Sequence, residues 1–245
     1  MTLTRLDESS CGMSGTCPAL FMNAAGQFVV QGSRTEGEDM APHETAVEVP
    51  PSILLPIGAG KDAPMSHEDF GALFHTFRQT AFRLEVLSRY SVDAEAELFR
   101  QFLACEELTP IRDLEAGRIW IETIAHAVTQ GKRWQKVHLI RGPLTDYLRF
   151  ELWVYEQTAA AGENIGIIHV QPGEVPELGR DDFWLFDDEL AVRLLYDREG
   201  RFIGPVAVTG PEVNVYRYRR DAALRQAIPL ATYLEAAPSR VARTT

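Results

Sequence analysis

Hydrophobic residues recur along this chain with two spacings, and the switches between them mark the predicted elements. From Ser66, a capping position, Phe70, Leu73, Phe74 and Phe77 return every three to four residues, with Glu68 and Asp69 in the first turn, as on an amphipathic helix. "AFRLEVL" then alternates, with Phe82, Leu84 and Val86 on one side and Arg83 and Glu85 on the other, as in a strand. Two further helices are predicted, one after Asp93 through Phe102 and one in "GRIWIETIAHAVTQG", which Gly131 stops. The strand "RWQKVHLI" leads to a helix capped by Thr145, with Leu144, Leu148, Leu152 and Tyr155 along one face and Gly162 as terminator. "NIGIIHV" follows as a nearly all-apolar strand suited to a sheet covered on both faces. Strand, helix and strand make a βαβ unit with a right-handed crossover.

"DFWLFDD", "LAVRLLYD" and "FIGPVAVTG" supply more strands, the last two joined by a hairpin turn at Arg198 to Gly200. From Pro211, suited to a first turn, the chain is helical through "EVNVYRYRRDAALRQAI". Nearer the N-terminus, "PALFMNAAGQFVVQGSRT" has two apolar runs around a turn at Asn23 to Gly26, and "TAVEVP" offers a third strand for a very small sheet. These patterns predict a flexible tail at 1–16, a small β module at 17–55, a linker at 56–65, an α/β domain at 66–236 and a disordered tail at 237–245. The fold class is α/β, with α+β as the alternative: a mixed sheet with a βαβ unit and flanking helices.

With 245 residues, 45% of them hydrophobic, the chain is large enough to stabilise a core without disulfides or metal. A net charge of −11 argues against direct binding to nucleic acid, which needs clustered Lys and Arg. No apolar run is long enough to span a bilayer, and the N-terminus lacks the basic and apolar parts of a signal peptide, so a cytoplasmic location is expected, with no membrane contact. The three cysteines, Cys11, Cys17 and Cys105, read as free thiols. "GAGKD" lacks the Ser or Thr that a phosphate loop requires after Lys61 and has Asp62 instead. No nucleophile elbow, H-E-x-x-H, EF-hand or dinucleotide fingerprint occurs, and neither metal nor cofactor is expected.

Three constellations could carry function. Arg141, Asp146, Tyr147, Arg149 and Glu151 stand where "RWQKVHLI" turns into a helix, a position at which α/β sheets bind ligands; capping by Asp146 and ion pairing of Arg149 and Glu151 are the favoured reading. Around Trp184, alternation places Asp187 with Phe183 and Leu185, and Asp182 and Asp188 with Trp184 and Phe186. These acids suit acid–base or cation chemistry, or simply turns. Of the six histidines, none forms an i, i+4 pair on a helix, and His138 and His169 fall on the two strands of the βαβ unit.

At "GPLTDYLRFEL", "AAAGENIGII" and "DDFWLFDDELAVRLLYDREGRF" the sequence resembles a family of uncharacterised actinobacterial proteins, a domain of unknown function often encoded beside helix-turn-helix regulators or in metabolite gene clusters. The resemblance runs from about Phe70 to Leu234; Arg141 and Gly142 stand where the family pattern has Ser and Glu. It implies a two-part regulatory accessory protein whose N-terminal part resembles a small actinobacterial module. The predicted strand order is also similar to one half of a phospholipase-D-like fold, whose H-x-K-x-x-x-x-D motif is missing; His138, Arg141 and Asp146 have the wrong spacing.

The leading expectation is a non-enzymatic regulator or sensor. It would bind a small ligand or a helix-turn-helix partner through Arg141, Asp146, Tyr147, Arg149, Glu151, Asp182, Trp184, Asp187 and Asp188, with a homodimer as one assembly. The alternative is an enzyme of actinobacterial secondary metabolism, with Asp182, Asp187 or Asp188 as general acid or base and Arg149 as anion clamp.

Overall fold

A computed structural model describes residues 63–92, 95–170 and 178–236 in full and, nearer the N-terminus, the backbone of five short strands. The chain divides into two compact units, residues 1–59 and 60–245. In the first, β1 (Leu3–Arg5), β2 (Ala19–Asn23) and β3 (Phe28–Gln31) form one antiparallel sheet, and β4 (Ser33–Thr35) pairs with β5 (Ala46–Glu48). The two apolar runs are thus the hairpin strands β2 and β3. Their third partner is Leu3–Arg5, from the expected tail, and not "TAVEVP". The rest of that tail, Cys11, Cys17, His43, Asp93, most of the linker and the C-terminal tail lie outside the described residues.

The second unit is built on an eight-stranded mixed sheet of order β13-β9-β8-β7-β10-β11-β12-β6. β7 (Thr80–Glu85), β8 (Arg133–Arg141) and β9 (Asn164–Val170) are parallel; β10 (Asp182–Phe186), β11 (Leu190–Tyr196) and β12 (Phe202–Val208) continue the sheet antiparallel from β7. The edges are two-residue strands, β6 (Ala63–Pro64) and β13 (Ile228–Pro229). Helices α1 (His67–Thr76), α2 (Ala96–Leu103), α3 (Glu115–Thr129), α4 (Asp146–Ala160), α5 (Val213–Gln226) and α6 (Leu230–Ala236) complete the unit. None is long and apolar enough to cross a membrane.

Local chemistry sets the helix ends. Ser66 accepts from the Asp69 amide and Thr145 from the Leu148 amide, so both predicted caps form. Gly162 ends α4 at φ +105, where a Cβ would lie 2.9 Å from a Val128 methyl on α3, so only glycine lets the two helices close together. Two expectations need correction. The linker is not irregular to its end, because Ala63 and Pro64 pair with Ala207 and Val206. The last helix is not continuous through Ile228: Pro229 forces extended backbone on the residue before it, and Ile228 pairs with Ile167 at the sheet edge before α6 starts.

The sheet is covered on both sides. On one, α5 packs Val213, Tyr216, Ala222 and Ala223 onto Phe82, Leu84, Val137, Leu139, Phe183 and Leu185, a mainly apolar layer in which the buried Arg219 lies over the Phe183 ring and donates to the Asp181 carbonyl. The other face has two halves. Towards α1 and α3, Phe74, Trp120, Trp134, Trp184 and Phe186 form a cluster with ring centroids 4.9–6.2 Å apart. Under α4, the sheet turns polar.

Candidate functional site

Strand register brings the charges together. In the parallel pair β7 and β8, Arg83 lies beside Lys136 and Glu85 beside His138. Asp182 opens β10 on the other side of β7, and α4 lowers Tyr147, Glu151 and Tyr155 onto the group. Arg83, Glu85, Lys136, His138, Glu151 and Asp182 are all buried here, from His138 at 0% exposed to Lys136 and Glu151 at 9%. A central parallel strand with both faces covered is normally apolar throughout, so this concentration is an exception that demands partners.

Arg83 is the hub. Its Nη2 donates to Asp182 Oδ2 at 2.7 Å and to the Tyr196 hydroxyl at 3.2 Å, and its Nε to Glu85 Oε1 at 3.2 Å. Asp182 also accepts from the Tyr90 hydroxyl at 2.6 Å and from the Val86 amide at 2.9 Å. Glu85 accepts from the Tyr155 hydroxyl at 2.5 Å and lies 3.5 Å from Lys136 Nζ, which sits 4.4 Å over the Tyr155 ring. Burial works against ionised Glu85, but Lys136, Arg83 and the Tyr155 bond outweigh it and hold the carboxylate well below its usual range. Burial pushes Glu151 well up, and the Glu85 charge adds to the shift.

His138 is held in one tautomer. Its Nε2 faces the Leu87 carbonyl at 3.0 Å, which only accepts, so Nε2 carries a proton. Burial lowers the ring's pKa and keeps it neutral, leaving Nδ1 as an acceptor 2.7 Å from the Tyr155 hydroxyl. One phenolic proton therefore serves two acceptors, Glu85 and His138. Glu151 Oε2 lies 3.5 Å from the same Nδ1 and makes no hydrogen bond.

Beside this cluster is a cavity of about 330 Å³. Arg83, Glu85 and Lys136 line its polar end with Glu95 and Glu151; Tyr90, Trp120, Tyr147, Phe150 and Val154 line the rest. Two buried atoms of these lining residues have no hydrogen-bond partner within the chain, Arg83 Nη1 and Glu151 Oε2. Among the described residues, no group of three His, Cys, Asp or Glu side chains is placed to hold a metal ion.

Residues 68–235, from α1 to α6, match the family described as "Domain of unknown function (DUF6879)". The chain belongs to this family. Every residue lining the cavity falls within the matched DUF6879 segment. No curated protein matches the sequence.

The structure separates the residues singled out by sequence. Tyr147 and Glu151 line the cavity, and Asp182 is buried against Arg83. Trp184 belongs to the aromatic cluster and stands 5.9 Å from the Arg83 guanidinium. Arg141 is exposed at the end of β8, and Asp146 pairs with Arg149 at 3.0 Å on the α4 surface. The alternation read through Asp188 stops at Phe186, because Asp187 and Asp188 form a left-handed turn at φ 52 and φ 60. Asp187 accepts from the amides of Arg78, Gln79 and Thr80, while Asp188 pairs with Arg220 and its carbonyl accepts from Arg217. His138 and His169 are not opposite each other: the register sets His138 beside Ile167 and His169 beside Ile140.

Arg83, Glu85, Lys136, Tyr90 and Tyr155 were not among those candidates. A signal was present: "FRLE" and "QKVH" each place charged or polar residues two apart in a strand. It reads as an ordinary solvent-facing edge until the partner strand and the covering helix are known.

Proposed function

We propose that this domain is a small-molecule sensor, with the ligand held in the cavity between α4 and the carboxyl end of β7. The observation that carries this reading is the buried Arg83 Nη1, which has no partner within the chain although Arg83 lines the cavity and its other two nitrogens are bonded. A buried donor without a partner costs roughly 1–3 kcal/mol, and a ligand acceptor removes that cost. Position agrees, because α/β sheets bind ligands outside the carboxyl ends of parallel strands. In this reading the protein is regulatory and ligand occupancy is passed to a partner. A helix-turn-helix regulator fits the net charge of −11, since a basic partner is drawn to an acidic surface.

The test is a thermal-shift screen of the full chain against small amines, carboxylates, phosphates and sugars, repeated with Val154→Trp to fill the cavity. Stabilisation by one class and its loss in the variant are expected; no stabilisation by any class, or shifts that survive Val154→Trp, would remove the cavity from the proposal. An enzymatic reading has one observation in its favour, the Tyr155 hydroxyl shared between Glu85 and His138, which suits proton transfer. The two separate on the fate of the bound compound: a sensor returns it unchanged.

A further inference from the structure

The charge balance around the cavity specifies the chemistry of its ligand, an inference that rests on the sensor reading above. Strands β7 and β8 contribute two permanent cations, Arg83 and Lys136, and the neutral His138. Against them stand five carboxyls: Glu85 on β7, Glu95 ahead of α2, Glu151 on α4, Glu163 ahead of β9 and Asp182 on β10. Tyr90, Tyr147, Tyr155 and Tyr196 complete the titratable groups, and burial pushes each of these phenols up, so they add no charge. Arg83 is already committed to Asp182 and Glu85, and Lys136 to Glu85. The empty cavity offers no further cation for Glu151, which burial and the Glu85 charge favour in its protonated form.

Two unsatisfied atoms of its lining residues say how a cation would be met: Glu151 Oε2 lacks any partner and would accept from an ammonium once its proton is displaced, and Arg83 Nη1 lacks an acceptor. Water could answer either as a hydrogen-bonding group but brings no cation to Glu151. An anion would meet Arg83 beside Glu85 and Asp182, the two carboxyls that already pair with it. The remaining walls, Trp120, Tyr147, Phe150 and Val154, suit an apolar body and present ring faces to a cation.

We propose that the cavity takes a small primary or secondary amine bearing a nearby oxygen acceptor, with its ammonium against Glu151 and Glu95 and its oxygen on Arg83 Nη1. Burial and the neighbouring Glu85 charge keep Glu151 protonated in the empty site. An arriving ammonium reverses that balance, so Glu151 loses its proton to solvent as the amine binds. Amine affinity therefore rises with pH until the amine itself deprotonates.

Calorimetry on the full chain tests this with three probes of one shape: phenylalaninol, the neutral hydrocinnamyl alcohol and the anion hydrocinnamate. The expected results are binding of phenylalaninol at least about tenfold tighter than either counterpart. Titrations in buffers of different ionisation enthalpy should show about one proton released per amine bound. Glu151→Gln copies the shape of the protonated acid and so keeps the fold, which near-ultraviolet circular dichroism of the aromatic cluster checks. It should lower amine affinity at least about tenfold and abolish proton release; Glu95→Gln, at a less buried position, should lower affinity and leave the release in place. Preference for hydrocinnamate, equal binding of the alcohol, or amine binding indifferent to Glu151→Gln overturns the amine assignment. If hydrocinnamate binds and Val154→Trp abolishes it, the amine class falls and the sensor reading stands. If no probe of any charge binds, the amine class falls, and the broader screen above decides the sensor reading.

Discussion

The two faces of the central sheet solve the same packing problem in opposite ways. Under α5, Phe82, Leu84, Phe183 and Leu185 meet mainly apolar neighbours, with Arg219 stacked over Phe183 as the buried charge, and stability comes largely from area removed from water. One residue along the same strands, Arg83, Glu85 and Asp182 point to the other side and meet each other, with Lys136 and His138 from the next strand. Apolar contacts are tolerant, since any side chain of suitable volume serves. A buried ionic group is not, since each member leaves a desolvated charge behind if its partner is lost. That second face also holds the cavity, so the proposed ligand site borders the part of the core that is least tolerant of change.

The sharpest comparison is between neighbours on β10. Asp182→Ala and Phe183→Ala should each cost roughly 3–5 kcal/mol in chemical denaturation, one by taking their shared carboxylate acceptor from the buried Arg83 and Tyr90, the other by opening a cavity. Conservative replacements should then part company: Phe183→Leu returns most of the loss, and Asp182→Asn does not, because Arg83 keeps its charge. An Asp182→Asn variant within about 1 kcal/mol of the parent would erase the distinction between the faces.

Next in size is a pH effect confined to the polar face. Glu151 is raised above the ordinary value of 4.5, so between that pH and its folded pKa the folded state holds a proton that the unfolded state has lost. Stability therefore falls as pH rises through that window, by up to about 1.4 kcal/mol per unit. Glu151→Gln should remove this slope and gain on the parent as pH rises, measured by denaturant midpoints at about pH 5 and about pH 8. Glu85, held low, has the opposite sign: its contribution is present above the ordinary carboxylate range and is lost as pH falls. Leu84→Ala, on the apolar face, should lower stability by an amount that does not change with pH.

Two smaller effects test acids away from the cavity. Asp187→Ala removes the acceptor for three amides at the entrance to β7 and should cost about 2 kcal/mol by thermal denaturation. Asp146→Ala breaks an exposed pair with Arg149 and should change stability by less than about 0.5 kcal/mol. Neither should alter binding of a compound that Val154→Trp displaces.

Elements were legible where local chemistry decides them. Ser66, Thr145, Gly131 and Gly162 mark helix ends because a cap or a positive φ is a property of one residue and its near neighbours. The βαβ unit and the three antiparallel strands follow from the two hydrophobic periods. The edge strands β6 and β13 were not legible, because two-residue pairings exist only through their partners Val206 and Ile167. In the candidate site, Tyr147, Glu151 and Asp182 were found on helix and strand ends, while Asp187 and Asp188, adjacent in the same motif, hold a turn.

By itself the sequence determined the alternation that puts Arg83 and Glu85 on one side of β7 and Lys136 and His138 on one side of β8. Only the tertiary structure decided that these are the same side, in parallel register and sealed beneath α4. The physical reason is range. Periodicity is written into neighbouring residues, whereas burial of a charge depends on which distant segment covers it, and here Tyr155, seventy residues beyond Glu85, closes the site.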